Sequence, residues 1–333
     1  MKRARPVVLA VAVILAGGIN RLSAAPVAAL AFSPDGRSLI SNGDRQLDIR
    51  SPKDAAVQRR LACGLPKITS LAFAPNGRLL AVGGGEPGVR GEVLLLSWPE
   101  GKVLYRIGDH TDLVTCVAFG AEGTRLGVAS SDHTARVWRL NERDTPTASF
   151  TATGHAGPVL AIAFSPSGQS IITASADRSL KVRASDDGHL LRSFSHHTES
   201  VHALAFCPRA ETNDAAPVVC ASAGDDGTVR VWQPEIGRMV RIVRQHEGPV
   251  FALVWSTDAT AFFSAGKEGI IRRIDAASDT IQAAWRAHDD WIYALATSSD
   301  GNTLASGDWS GTVRIHDLRT VTTLSPKPEA RPP

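Results

Sequence analysis

Five histidines, His110, His155, His197, His246 and His288, recur roughly every 42–49 residues, and each opens the same phrase. The clearest copy runs His197-Thr-Glu-Ser-Val-His-Ala-Leu-Ala-Phe206 and resumes as Ala221-Ser-Ala-Gly-Asp-Asp-Gly-Thr-Val-Arg-Val-Trp232. Two further copies lack the histidine, one starting at Val27 and one at Ile68. Each copy alternates apolar and polar residues over short runs separated by Pro, Asp, Asn and Gly turns. That period of two is the mark of strands, and no sustained helical period follows the first residues. Length alone would suggest two domains, but the unbroken repeats argue for one closed, all-β ring.

The repeated phrases are Phe-Ser-Pro-Asp-Gly at 32–36, Phe-Ser-Pro-Ser-Gly at 164–168, Thr-Ala-Arg-Val-Trp at 134–138, Thr-Val-Arg-Val-Trp at 228–232 and Thr-Val-Arg-Ile-His-Asp at 312–317. They resemble the WD-repeat (WD40) family over roughly residues 26–324. The resemblance implies a seven-bladed β-propeller of four-stranded antiparallel blades. It also implies a hydrogen-bonded His–Ser/Thr–Asp–Trp tetrad in each blade. The fifth blade has the whole set: His197, Ser222, Asp226 and Trp232. The third keeps His110, Asp132 and Trp138 but has Val128 at the hydroxyl position. The fourth keeps His155, Thr173 and Asp177, with Arg183 for Trp. The sixth has His246, Ser264 and Glu268, with Ile274 for Trp. The seventh has His288 and Ser306, with Ser310 at the acid position and His316 for Trp. The first two blades keep little beyond Asp44. A buried polar network stabilises only when its members are satisfied, so the incomplete blades are expected to be looser. Residues Val321–Leu324 are the expected outer strand of the last blade.

The termini read differently. A basic start, Met1-Lys-Arg-Ala-Arg5, precedes an apolar run from Pro6 to Gly18 and then Ser23-Ala-Ala25. This order fits a secretory signal peptide over residues 1–25, and the run is short for a membrane span. Export to the periplasm or the extracellular space is the expectation. An uncleaved anchor, and with it membrane contact, is the alternative. Residues 325–333 form a Pro-rich tail expected to be disordered. Of 36 basic residues, Lys2, Arg3, Arg5 and Arg21 lie in the leader, leaving 32 against 33 acidic ones. That balance gives nucleic acid no basic stripe to bind. Four cysteines, Cys63, Cys116, Cys207 and Cys220, allow disulfides in an exported chain. Cys207 and Cys220 flank one hairpin, diagonal rather than opposite, and small core residues are the simpler reading. The segment Pro208–Pro217 is expected to be an exposed polar loop.

Chemistry is harder to find. The repeated His and Asp each have a structural role within their own blade, and no spacing converges three or four metal ligands. No Gly-x-Ser-x-Gly elbow occurs. Gly83-Gly-Gly-Glu-Pro-Gly-Val-Arg-Gly91 leads into a strand rather than a helix, so it reads as an enlarged loop and not a phosphate cradle. The expectation is a monomeric, non-catalytic scaffold with no cofactor and no metal, docking a protein or peptide. A propeller enzyme and a cytoplasmic or tethered assembly protein are the alternatives. In the family the His/Asp loop face is the usual recognition face, with three outward positions per blade. Mapped here, blade seven offers Trp291, Tyr293 and Trp309; blade six, Phe251 and Lys267; blade five, His202 and Asp225; blade two, Lys67. Two of seven Trp and one of two Tyr thus fall on one blade, beside a Phe. Exposed aromatics of this kind mark binding surfaces.

Overall fold

A computed structural model describes residues 25–208 and 218–321. The leader, the segment 209–217 and residues 322–333 lie outside the described residues, and with them the expectations for signal peptide, polar loop and tail. Among the described residues the chain is all strand and turn. Each blade is an antiparallel meander whose strands neighbour one another in sequence order. The innermost strands are Leu30–Phe32, Lys67–Phe73, Val114–Phe119, Val159–Phe164, Val201–Phe206, Val250–Trp255 and Ile292–Thr297. Each contacts its two neighbours, and the first contacts the last, so the seven blades close into a ring around an axial channel.

The apolar alternation explains why blades stack. In Leu79–Glu86, Leu80 and Val82 face blade one, against Ile40 and Leu47. Leu79 and Ala81 face blade three, against Val114 and Val117. One strand therefore feeds two interfaces. The core is accordingly divided into wedges, each shared by two adjacent blades, including a wedge of Val27, Leu30 and Phe32 with Ala294, Ala296 and Ala305 that joins blade one to blade seven. Leu79, Leu80, Leu94 and Leu95 are at most 1% exposed, and each such burial contributes about 1.5–3 kcal/mol. The Ser-Pro-Asp-Gly turns cap the opposite face. In the first, Ser33 Oγ bonds Asp35 and Gly36 takes φ 68°, a conformation that glycine adopts without strain.

One expectation needs correction. The Gly-rich segment is not a loop. Gly83, Gly84 and Gly85 pair with Val93, Glu92 and Gly91, so Leu79–Glu86 and Arg90–Ser97 form a long hairpin. Glycine is needed there for closeness: a Cβ on Gly84 would lie 1.9 Å from the Lys67 carbonyl oxygen. Blade seven has three strands among the described residues, Ile292–Thr297, Thr303–Asp308 and Val313–Asp317. Val321 is not in a strand, and the rest of the expected outer strand lies outside the described residues. The hairpin of blade five sets Phe206, not Cys207, opposite Cys220. Cys63, Cys116 and Cys220 are free thiols, and burial pushes the pKa of each up.

Candidate functional site

The His/Asp face is built on the polar sets that the repeats carry. In blade five, Trp232 Nε1 donates to Ser222 Oγ at 2.8 Å. Because an indole can only donate, the Ser222 hydroxyl is left to donate to His197 Nε2, 2.7 Å away. His197 Nδ1 then donates to Asp226 Oδ2 at 2.8 Å. The other carboxylate oxygen accepts from the Thr228 hydroxyl and amide, which fixes the turn. Burial raises the Asp226 pKa, but the His197 and Thr228 bonds outweigh it and hold the carboxyl well below its usual range.

The other blades vary this set as their sequences imply. His155 joins Thr173 at 2.8 Å and Asp177 at 2.9 Å, while Arg183 turns to the backbone carbonyls of Gly188 and Thr153. His246 joins Ser264 at 2.8 Å and lies 3.2 Å from Glu268, which also receives Arg272. In blade three Val128 interrupts the set. His110 still holds Asp132 at 2.8 Å, but His110 Nε2 and Trp138 Nε1 are buried with no hydrogen-bond partner. Asp44 lies exposed on its turn, and Asn42 does the bonding in blade one, accepting from the Ala28 and Ala29 amides.

Blade seven corrects the expectation that Ser310 replaces the acid. Asp308 supplies it: His288 Nδ1 lies 2.7 Å from Asp308 Oδ2, and Ser310 Oγ bonds the second oxygen. The turn has the same length as in blade five, since Gly307 pairs with Val313 as Ala223 pairs with Val229, so Ser310 holds the position of Asp226 and Asp308 reaches the histidine from two residues earlier, where blade five has Gly224. His316 also fills the Trp position productively. Trp285 Nε1 donates to His316 Nδ1 at 3.3 Å, so His316 Nε2 carries its proton and donates to Ser306 Oγ at 2.8 Å. Ser306 in turn reaches His288 Nε2 at 2.7 Å. Burial, with the nearby His288 and Arg314, pushes the His316 pKa down to about 4.

Upon this frame the outward side chains gather. The backbone places them: the amides of Asp225, Lys267 and Trp309 bond the carbonyls of Ser200, Pro249 and Trp291 in equivalent positions. Phe251 and Tyr293 stack with centroids 4.8 Å apart and planes 13° apart. Phe251 and Trp291 stack at 5.9 Å, and Tyr293 meets Trp309 at 5.7 Å. His202 meets the edge of Phe251 at 5.3 Å. Lys267 Nζ lies over the Trp291 ring, 5.6 Å from its centroid. Trp291 and Trp309 remain 40% and 42% exposed, whereas Phe251 and Tyr293 are half-buried and line the channel mouth. The rest of the mouth is small or aliphatic, with Ala28, Thr69, Thr115 and Leu160. Thr69 and Thr115 spend their hydroxyls bonding the next blade, at Val114 and Val159. Lys67 is exposed but stands beside the Gly84 hairpin of blade two, beyond blade one from the rings.

Sequence reasoning passed over Asp290. Burial first, then the charges of Asp290 and Asp225, pushes the Tyr293 pKa up to about 12, so its hydroxyl stays protonated. Asp225 Oδ1 is 2.8 Å from His202 Nε2, in a contact too bent to satisfy that buried nitrogen. The hydroxyls of Thr134, Ser179 and Thr228 were also missed, although Asp-x-Thr/Ser recurs at Asp132, Asp177 and Asp226.

The model of the WD domain, G-beta repeat, matches residues 101–139, 145–183, 188–233, 237–275 and 280–317, more than half of the chain. The chain belongs to the WD-repeat family. Each match runs from the outer strand of one blade to the third strand of the next. Among curated relatives it is similar to periodic tryptophan protein 2 of Arabidopsis thaliana, 27% identical over 59% of this chain and 21% of that one. It is similar to nuclear distribution protein PAC1 of Coccidioides posadasii, 28% identical over 55% and 39%. It is also similar to transducin beta-like protein 3 of Bos taurus, 31% identical over 71% and 29%. The chain spans between about a fifth and two fifths of these relatives' lengths.

Proposed function

We propose that this WD-repeat protein is a non-catalytic interaction scaffold that docks a protein or peptide on its His/Asp face. The supporting observation is the one-sided gathering of Phe251, Trp291, Tyr293 and Trp309 at the channel mouth, with both Trp rings two-fifths exposed. Trp and Tyr bury large areas with few rotatable bonds, and such residues dominate interface energies. The tetrads beneath them lock the loops, so the surface is held before a partner arrives. None of the four rings belongs to a tetrad. A partner that buries them would lose about 2 kcal/mol or more of binding when one central ring is truncated. The near balance of charge outside the leader favours protein over nucleic acid.

The test is a pull-down from the source cell with wild type and with a Trp291→Ala/Trp309→Ala pair of equal melting temperature. The proposal expects a partner retained by the first and lost by the second; a pair that retains every partner sinks it. The leader composition supports export of the propeller. Mass spectrometry of the purified protein settles the location: a mature start near Ala25 supports export, and an intact Met1 supports a tethered or cytoplasmic protein.

A further inference from the structure

The chain enters the ring beside the aromatic mouth. Val27 donates its amide to the Asp308 carbonyl at 2.9 Å, and Asp308 directly precedes Trp309. Asn42 Nδ2 donates to the Pro26 carbonyl at 2.8 Å. Val27 is 1% exposed and packs so closely on Gly307 that a Cβ there would lie 2.3 Å from Val27 Cγ1. Pro26 is thereby fixed where blades one and seven join, on the His/Asp face, and the leader attaches there without a spacer. Resting on the docking role proposed above, we infer that in the uncut chain the apolar run of the leader, Pro6 to Gly18, occupies the aromatic mouth, so that removal of the leader opens it to a partner. Three observations carry this. First, the point of attachment is one residue from the mouth, because the residue that holds Val27 adjoins Trp309. Second, the run can reach the rings. Seven positions separate Gly18 from Ala25, a span of at most about 25 Å, and Gly17-Gly18 and Asn20 are residues that turn a chain back. Third, the surfaces match in chemistry. Residues 6–18 carry no charged or hydrogen-bonding side chain. Phe251, Tyr293 and Trp291 spend ring faces on one another, whereas Trp309 meets only Tyr293, at 45°, and stays 42% exposed, with Trp291 at 40%. Covering these rings with the run removes apolar surface of both from water. The short tether sets an effective concentration on the order of millimolar, so even a weak contact is occupied and a partner must compete with it.

The test uses the full-length protein in detergent-free buffer, with a benzophenone amino acid at Trp309 and, as control, at Ile236. Irradiation should give an intramolecular adduct from position 309 that mass spectrometry maps to residues 6–18, and none from position 236. Val11→Asp puts a charge into the run without touching the ring, and should lower the adduct yield at least fivefold. A synthetic peptide of residues 1–21, added to a chain that begins at Pro26, should bind at least tenfold more weakly when that chain carries the Trp291→Ala/Trp309→Ala pair. In the pull-down the chain that begins at Pro26 should retain at least tenfold more partner than the uncut chain. No leader adduct from position 309, a peptide held equally by the pair, or equal retention of partner by the two chains overturns the masking while leaving the docking role standing. A leader adduct with no partner held through the two Trp rings by either chain overturns the docking role, and the opening of the mouth with it.

Discussion

Replacing Val128 by Thr should stabilise the protein. Val128 is fully buried on the second strand of blade three. The register is that of the complete blade: Trp138 pairs with Leu126, two residues before Val128, as Trp232 pairs with Cys220, two before Ser222. A hydroxyl at residue 128 would therefore stand between His110 Nε2 and Trp138 Nε1, both buried and unpartnered. His110 Nδ1 already faces Asp132, so Nε2 is free to accept while the indole donates. One hydroxyl serves both, as Ser222 does at 2.7 and 2.8 Å. Each buried unsatisfied group costs about 1–3 kcal/mol. Exchanging a methyl for the hydroxyl loses about 1 kcal/mol of apolar burial. Thr keeps the other methyl, and Thr173 shows that the fold accepts it in this role. The net gain is about 1–2 kcal/mol, or a rise of about 2–4 °C in melting temperature. Differential scanning calorimetry of wild type, Val128→Thr and Val128→Ala measures it. A Thr variant that melts at or below wild type would show that the two nitrogens are not held as the geometry implies.

Other outcomes follow from the same frame. Asp226→Ala and Asp308→Ala should each lower stability by roughly 3 kcal/mol, since each strands a buried histidine and frees a turn, while Ser310→Ala should cost under about 1 kcal/mol; chemical denaturation that ranks Ser310 with the two acids would refute the assignment of Asp308. Acid should weaken the ring in two stages. The folded-state pKa of His316, about 4, lies below its unfolded value of about 6.5, so its contribution is present above pH 6.5 and lost as pH falls toward 4. The lowered values of His110, His155, His246 and His288 act in the same direction. Asp177 and Glu268, both near 2, withdraw their contribution below about pH 4. Melting temperatures should hold between pH 8 and about pH 6.5 and fall from there to pH 3, and a flat profile between pH 6.5 and 4 would contradict the histidine part. Gly84→Ala should cost several kcal/mol by forcing the Lys67 backbone aside; an unchanged melt would mean the hairpin is free to shift.

Much of the architecture is written in the chain because the repeat is periodic at two scales. The alternation in Leu79–Val82 assigns each residue to one of two wedges, and the recurrence of His, Asp and Gly sets the number of blades. The gathering of Phe251, Trp291, Tyr293 and Trp309 is legible for the same reason, since position within a repeat fixes direction on the face. What escaped is where local geometry departs from the average repeat. His155 and Asp177 are separated by 22 positions, whereas His288 and Asp308 are separated by 20, and a reading by fixed spacing lands on Ser310. His316 reads as a lost Trp, yet a ring nitrogen performs the same donation and adds an acceptor for Trp285. The run Gly83–Gly85 reads as loop by composition, but its glycines answer to close backbone approach within a sheet. Asp290 sits off the repeated positions, and only folding sets it beside Tyr293.

The central claim is that recognition takes place on the aromatic side of the His/Asp face, and site-directed photo-crosslinking tests it most directly. A benzophenone amino acid placed at Trp309 would lie on that surface, and the same group at Ile236, 58% exposed on a turn of the opposite face, serves as the control. Irradiation in the source cell should yield a discrete adduct from position 309 and none from position 236. An adduct from position 236 with none from 309 would place the partner on the other face and contradict the account.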